Sequence, residues 1–541
     1  MPLNSNLSLR RDTMRMTMAG MLMACLLSAC GGGDSGAFIS APPLPPEVVG
    51  PDPLLSKQWH LFNNGQSGGV PGMDLGLGGV KETGRGVLMA FVDGAVQIRH
   101  PDLVANLYTV GGYLPIADPS PETAPPDAPY KDTAGAWDDA HGTAVVGIAL
   151  ARANNSKGGR GVAPEARFMA FNGLSNGRVG DALRAAVEQG ADIVNNSWGF
   201  LDPQKSGDQL YQSADPVWRE ALDRAVTQGR QGRGTVVVFA AGNGGGGDDS
   251  NRDGYANHPG VLAVGAVDHQ GRPPAYAEPG SNVLVSAPSV ALAQNFFGES
   301  AIWTTDLAGP RGLSGGKESD IADYAAFSGG TSASAPMVSG VVALMLQANP
   351  SLSWRDVRWL LARTARPASL GPLETAASAM NSHGFHPLVG FGRVHAADAV
   401  DVARVFRGLP VERQCNSGWL SAPQAIADAP DPGLILEHRF PSCDLSVVES
   451  VQLTVKIEHA YGADLQMVLT SPAQRQSLLA RPHLCNVDFK GVCGDFSQGW
   501  TFHSVRHMGE EASGIWRLHI QDLQEEDSGR LVQWSLVVTG H

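Results

Sequence analysis

The sequence predicts a doubly wound α/β domain with a parallel sheet, followed by a C-terminal all-β sandwich. Three observations carry that prediction. Between about residues 52 and 407, apolar runs such as Val87–Val92, Val236–Ala241 and Val261–Val267 lack alternation, as strands covered on both faces do. Stretches with helical spacing, Asp181–Gln189 and Trp218–Gln228, lie between such runs, and alternating strands and helices build a parallel sheet. After Arg407 the pattern changes. Val451, Leu453, Val455 and Ile457 alternate with Gln452, Thr454, Lys456 and Glu458, the mark of a half-buried strand. Ile515–Ile520 and Leu531–Val538 behave alike, with Trp516 and Trp534 as core anchors. Residues 408–541 are therefore expected to form a sandwich.

The chain has 541 residues, enough for two or more domains. It is 43% hydrophobic and 17% charged, with 66 Gly and 36 Pro, a globular, turn-rich composition. The 53 acidic residues outnumber 39 Lys and Arg, for a formal net charge of -14. Such a chain repels phosphate backbones, which argues against nucleic acid as a partner. Clustered acids suit Ca²⁺ or a cationic substrate.

Residues 1–30 read as a targeting segment. Arg10, Arg11 and Arg15 precede an apolar stretch from Met16 to Leu27, too short for a spanning helix. It ends in Leu27-Ser28-Ala29-Cys30-Gly31, which resembles the lipobox of bacterial lipoprotein signals and implies a lipid on Cys30. The expected location is that of an exported lipoprotein, at the outer membrane or cell surface. Residues 31–51 are a Gly/Pro-rich tether. Cys415, Cys443, Cys485 and Cys493 are an even set in an exported chain and suggest disulfides; proximity alone pairs Cys415 with Cys443 and Cys485 with Cys493.

The chemistry starts at Gly330-Thr331-Ser332, followed by the apolar helix Met337–Leu346. A serine at a glycine-flanked helix start sits where backbone N–H groups favour developing negative charge, but its hydroxyl needs an adjacent base. His141, opening another apolar helix, supplies one, and Asp93, directly after the strand Val87–Val92, can orient the imidazole. Asn243, after Val236–Ala241, can donate to a tetrahedral oxyanion. Singly, each residue has a bland explanation as a cap or turn. Their joint occurrence, in the order Asp, His, Asn, Ser, points to peptide-bond hydrolysis. Gly312-Leu313-Ser314-Gly315-Gly316 also fits the elbow motif of lipases, yet no strand–helix context surrounds it.

That order, with Ala90-Phe91-Val92-Asp93-Gly94, His141-Gly142-Thr143, Ala241-Gly242-Asn243 and Gly330-Thr331-Ser332, resembles the subtilisin family of serine proteases. Gln58-Trp59, Ser197-Trp198-Gly199 and Asp253-Gly254-Tyr255 narrow the resemblance to the kexin-like, or proprotein convertase, branch. His459 to Leu465, Thr470-Ser471-Pro472 and Gly509 to Trp516 look like that branch's P domain, a jelly roll. The resemblance implies protein or peptide substrates whose backbone pairs with Ser197, Trp198 and Gly199. It also implies that Asp202 and Asp253 line a pocket for Arg or Lys, where a carboxylate would select a cationic side chain.

Two departures stand out. Gly94 replaces a second acid, and Arg184 falls near an acid that reads a more distant basic residue, so strict dibasic recognition is not expected. Residues 31–51 are also too short for the customary pro-domain. The resemblance further implies Ca²⁺ at Asp52, Asp102 and Asn155 with carbonyls of Arg152, Lys157 and Gly159, and at a second site of Asp202, Asp248 or Asp249, and Glu278. The rival expectation is a surface adhesion lipoprotein whose sandwich binds a partner while the α/β domain is an idle scaffold.

Overall fold

In the computed structural model, the described residues are 49–109, 136–174, 177–200, 213–291, 300–308, 312, 323–327, 329–373, 375–483 and 496–541. The targeting segment with Cys30, most of the tether, the lipase-like motif beyond Gly312, Asp202 and the Cys485–Cys493 pair lie outside them.

The first half is built on β1 (Leu88–Asp93), α1 (Ala136–Leu150), β2 (Arg167–Asn172), α2 (Val179–Glu188), β3 (Ile193–Asn196), α3 (Pro216–Gly232), β4 (Val236–Ala240), β5 (Val261–Val267) and β6 (Val283–Pro288). The six strands form one parallel sheet in the order β2-β1-β3-β4-β5-β6. Their residues are buried almost throughout, which explains the missing alternation: helices cover both faces. The chain steps one way from β1 to β2 and the other way from β1 to β3. A crevice beyond the carboxyl ends of β1 and β3 follows from that reversal.

A small hairpin, β7 (Ile302–Thr305) with β8 (Tyr324–Phe327), precedes α4 (Thr331–Ala348), α5 (Trp354–Thr364) and α6 (Ala396–Val405). α4 is apolar all round and buried from Thr331 to Leu346, packing against α1, α6 and the inner strands. It is the one helix among the described residues long and apolar enough to cross a membrane, and 89% of it lies inside the protein. It is a core helix. Two boundaries differ from expectation. α4 begins at Thr331, so Ser332 lies in its first turn, and Pro336, inside the helix, leaves the Ser332 carbonyl without its i+4 backbone donor. α1 begins at Ala136, so His141 sits in the second turn and does not open the helix.

The second half pairs β9 (Arg413–Asn416), β10 (Leu420–Ile426), β12 (Val448–His459), β15 (Trp500–Ser504) and β17 (Gly529–Gly540) in one antiparallel sheet. It pairs β11 (Leu434–Arg439), β13 (Leu465–Thr470), β14 (Gln476–Ala480) and β16 (Ile515–Asp522) in another. The inward residues Val451, Leu453, Val455 and Ile457 of β12 share a core with Met467, Leu469, Trp516, Leu518, Ile520 and Trp534. β12 and β17 run several residues beyond the alternating stretches seen in sequence, because strand ends carry turn-like polar residues. Cys415 on β9 is bonded to Cys443.

The two halves meet in a buried ionic cluster. Glu449 at the start of β12 accepts from Arg355 of α5 at 2.5 Å, lies 3.7 Å from Arg358, and bonds His541 at 2.9 Å. Glu449 and Arg358 are each only 1% exposed in their side chains. Nothing in the residue pattern announces this contact, since its partners are about 90 positions apart.

Candidate active site

β1 ends on Asp93, which is fully buried. Its Oδ1 accepts the Gly94 N–H at 2.8 Å and lies 2.7 Å from Nδ1 of His141. A carboxylate at Nδ1 keeps the proton on that nitrogen and leaves Nε2 as the basic atom. The His141 side chain is 25% exposed, with the Phe327 ring edge-on at 5.6 Å. Gly142 permits this approach of α1 to β1: a Cβ there would come within 2.7 to 2.9 Å of the Ala95 and Gly94 carbonyls.

Ser332 is 7% exposed, and its Oγ donates to the carbonyl of Ser197 at 2.8 Å. Gly330 sets the entry to α4 with φ 57°, and a Cβ there would meet Asn243 at 2.5 Å; an L side chain would be strained and would also collide. Asn243 is exposed beyond β4. Its Oδ1 accepts both the N–H and the hydroxyl of Thr331, each at 2.9 Å. With the oxygen so engaged, the amide nitrogen is the end that donates outward. Four residues from four elements therefore converge on the switch-point crevice: a carboxylate, an imidazole, a hydroxyl and an amide donor.

Ser197, Trp198 and Gly199 follow β3 along the same crevice. The Trp198 indole donates to the Val92 carbonyl at 2.8 Å and packs edge-on between Phe239 and Tyr255, so it is braced from behind. Ser197 is fixed from below. Asn195 Nδ2 donates to its Oγ at 2.9 Å, and Ser339 of α4 donates to Asn195 Oδ1 at 2.9 Å. Sequence reasoning had no signal for this brace.

Asp253 lies directly under Gly199, where a Cβ would stand 2.9 Å from Asp253 Oδ2. Its carboxylate accepts N–H bonds from Tyr255 at 2.7 Å, Ala256 at 3.2 Å and Phe200 at 3.3 Å. Burial nevertheless raises its pKa to about 6, with Asp248 adding repulsion. Arg184 is paired with Asp181 at 2.5 Å, so its guanidinium is already engaged.

The expected calcium ligands gather in two places. Asp52 and Asp102 are both buried, each with one carboxylate oxygen, Oδ2, lacking any hydrogen-bond partner. Burial, then repulsion from Asp52, pushes Asp102 up to about 8. Two adjoining buried carboxylates with orphaned oxygens fit a hard cation. Asn155 bridges them, its backbone N–H donating to Asp52 Oδ1 at 3.2 Å and its Nδ2 donating to Asp102 Oδ1 at 2.7 Å. Its oxygen meets the Lys157 N–H at 3.1 Å, so ligation through that oxygen requires the amide to turn. Arg152 and Gly159 lie in the same loop; the Arg152 N–H bonds the Asp102 carbonyl at 2.9 Å.

At the second place, Glu278 accepts the Gly244 N–H at 2.7 Å, and burial followed by repulsion from Asp248 holds its carboxyl well above the usual range. That also fits a cation between Glu278 and Asp248. Asp249 does not face it: Asp249 caps the Ser250–Arg252 turn and pairs with Arg481 at 3.0 Å. A third group went unnoticed in the sequence. His459, Asp522 and Asp527 converge in the sandwich. His459 Nδ1 accepts the Tyr461 N–H at 3.1 Å, which puts the ring proton on Nε2, facing Asp522 at 3.1 Å.

Fold and site together define a subtilisin-type serine endopeptidase. Residues 84–392 match the subtilase family model and residues 448–538 match the proprotein convertase P-domain. Rat neuroendocrine convertase 2 is 31% identical over 504 residues, covering 90% of this chain and 74% of its own length. Mouse proprotein convertase subtilisin/kexin type 7 is 34% identical over 507 residues, with 90% and 61% coverage. Among solved structures, a serine protease of Aeromonas sobria in complex with the chaperone ORF2 superposes with TM-score 0.75 at 26% identity, covering 91% of this chain and 96% of that one. The chain belongs to the subtilase family, in its kexin-like proprotein convertase branch. The idle-scaffold alternative is set aside, since an enzyme family and a complete set of reactive groups coincide.

Proposed function

We propose that this endopeptidase is an exported, lipid-anchored and calcium-stabilised enzyme that cuts after Arg or Lys. The Asp93–His141 pair at 2.7 Å is the observation that carries the catalytic part. Ser332 is the nucleophile. To react, its hydroxyl leaves the Ser197 carbonyl for Nε2 of His141, which removes the proton as Oγ bonds the substrate carbonyl carbon. The oxyanion is held by the Asn243 amide and the Ser332 N–H. His141 then protonates the departing amine, and the acyl-enzyme is hydrolysed by a water deprotonated by the same imidazole. Asp93 holds the ring and stabilises its cation.

Substrate backbone pairs along Ser197 to Gly199. Asp253, together with Asp202, pairs with the basic side chain before the cut; the N–H bonds that aim the Asp253 carboxylate under Gly199 support this reading. Calcium at Asp52, Asp102 and Asn155, with carbonyls of Arg152, Lys157 and Gly159, and at Asp248 and Glu278, supplies positive charge that buried acids otherwise lack. Cys30 carries the lipid that holds the enzyme at a membrane.

A fluorophosphonate probe labels the wild type and fails to label Ser332→Ala. Peptides ending in Arg, Phe or Leu then rank the pocket, and faster turnover of Phe or Leu overturns the basic preference. Palmitate incorporation that persists in Cys30→Ala overturns the anchor.

A further inference from the structure

The carboxylate that reads the substrate sits on a short stretch of chain whose two ends are held by the other domain. Before Asp253, Asn251 accepts on its backbone carbonyl from the Trp500 indole N–H at 3.1 Å and on Oδ1 from the His503 N–H at 2.9 Å. Its Nδ2 donates to Ser281 Oγ at 2.8 Å, and Ser281 Oγ donates to the His503 carbonyl at 2.8 Å. After Asp253, Asn257 divides its amide hydrogens between the Asn251 carbonyl and the Thr501 carbonyl, both at 3.0 Å. Trp500, Thr501 and His503 all belong to β15 of the sandwich. Arg481, just past β14, pairs with Asp249 at 3.0 Å and accepts on its carbonyl from Arg252 at 3.2 Å.

Asn251 and Asn257 are buried, at 1% and 8% exposure, so water competes poorly for their hydrogen bonds, which hold the geometry well. Asp253 stands at mid-span between them.

We propose that β15 of the P domain is a strut for the specificity pocket, with Asn257 and Trp500 as positioning residues that set where the Asp253 carboxylate lies. The inference rests on the reading of Asp253 as the basic-residue acceptor. A carboxylate matched to a guanidinium is selective because two charged groups meet in fixed geometry. A shift of about 1 Å weakens that pairing while leaving Asp93, His141 and Ser332 in place, since none of those residues is on the strut.

The experiment compares Arg-ended and Phe-ended peptides on the full chain. Asn257→Ala removes the staple, and Trp500→Phe deletes one N–H while keeping an aromatic ring. Ile520→Val, in the sandwich core away from β15, reports what general loosening of the domain does. The strut predicts that both interface variants lower the Arg:Phe ratio of kcat/KM roughly three- to tenfold, the span of one net hydrogen bond. The loss should appear as a higher KM for the Arg peptide with turnover of the Phe peptide kept, and Ile520→Val should hold the wild-type ratio. An unchanged ratio in Trp500→Phe, or an equal fall in Ile520→Val, overturns the strut; Trp500→Phe decides alone if Asn257→Ala does not fold. A wild type that prefers Phe instead overturns the reading of Asp253, a result visible before any variant is made.

Discussion

At the scale of single residues, chemistry depends on which end of each polar group is left to act. Thr331 takes both bonds available to Asn243 Oδ1, so the amide hydrogens point outward. Asn243→Ala should therefore lower kcat about 10²–10³-fold with KM little changed, because the lost donor acts on the transition state. A KM effect alone would show that Asn243 binds substrate and does not hold the oxyanion. Asp253 gives a pH prediction. Its pKa is raised to about 6, so it is charged above pH 6 and neutral below. In calcium-depleted enzyme the Arg:Phe ratio of kcat/KM should fall as pH drops through 6, and Asp253→Asn should flatten that limb. Calcium beside Asp248 and Glu278 should move the limb to lower pH by cancelling the repulsion that helps raise it. Taking the ratio of substrates removes the titration of His141, which affects both equally. A ratio flat from pH 5 to 8 in both forms would exclude Asp253 from the pocket.

At the scale of elements, β1, α1, β3, β4 and α4 each deliver one or more groups to a common edge. The four candidate residues were legible because each carries a local signature: Asp93 after an apolar run, Ser332 after Gly-Thr, and His141 before Gly-Thr although it lies inside α1. The braces were not. Ser339, Asn195 and Ser197 look like ordinary polar residues, and only the packing of α4 across β3 joins them. The loop elements invite a metal test. Asp52 and Asp102 come from segments that the 151–160 loop draws together through Asn155. Chelation should lower the melting temperature by several degrees, since a ligand at a hundredfold excess over its Kd stabilises by about 2.7 kcal/mol. Asp102→Asn should remove much of that calcium response. Equal melting curves with and without EDTA would refute both sites.

At the scale of the whole molecule, the sandwich is joined to the α/β domain by buried charge. Removing one partner from such a cluster leaves others uncompensated: Glu449→Gln takes the carboxylate from the buried Arg358 and leaves Arg355 with the half-exposed Glu412. The expected loss is ~3 kcal/mol in denaturant unfolding, the lower end for breaking a buried pair because Glu412 still faces Arg355 at 3.2 Å, with the two domains separating into distinct transitions. A change below about 1 kcal/mol would mean that the cluster is solvated and that other contacts hold the halves together.

The residue pattern alone carried the alternation of strands and helices, the change from covered to half-exposed strands near Arg407, and the candidate residues Asp93, His141, Asn243 and Ser332. Those properties are local: periodicity reports burial, and glycine marks where a backbone must turn or come close. The folded structure alone shows that Ser332 rests on the Ser197 carbonyl, that Asp249 answers Arg481 while Asp248 faces Glu278, and that β15 of the second domain bonds Asn251 and Asn257 of the first. Each of these is a contact between groups tens to hundreds of positions apart. Their pairing depends on distances that hydrophobic spacing along the chain does not encode.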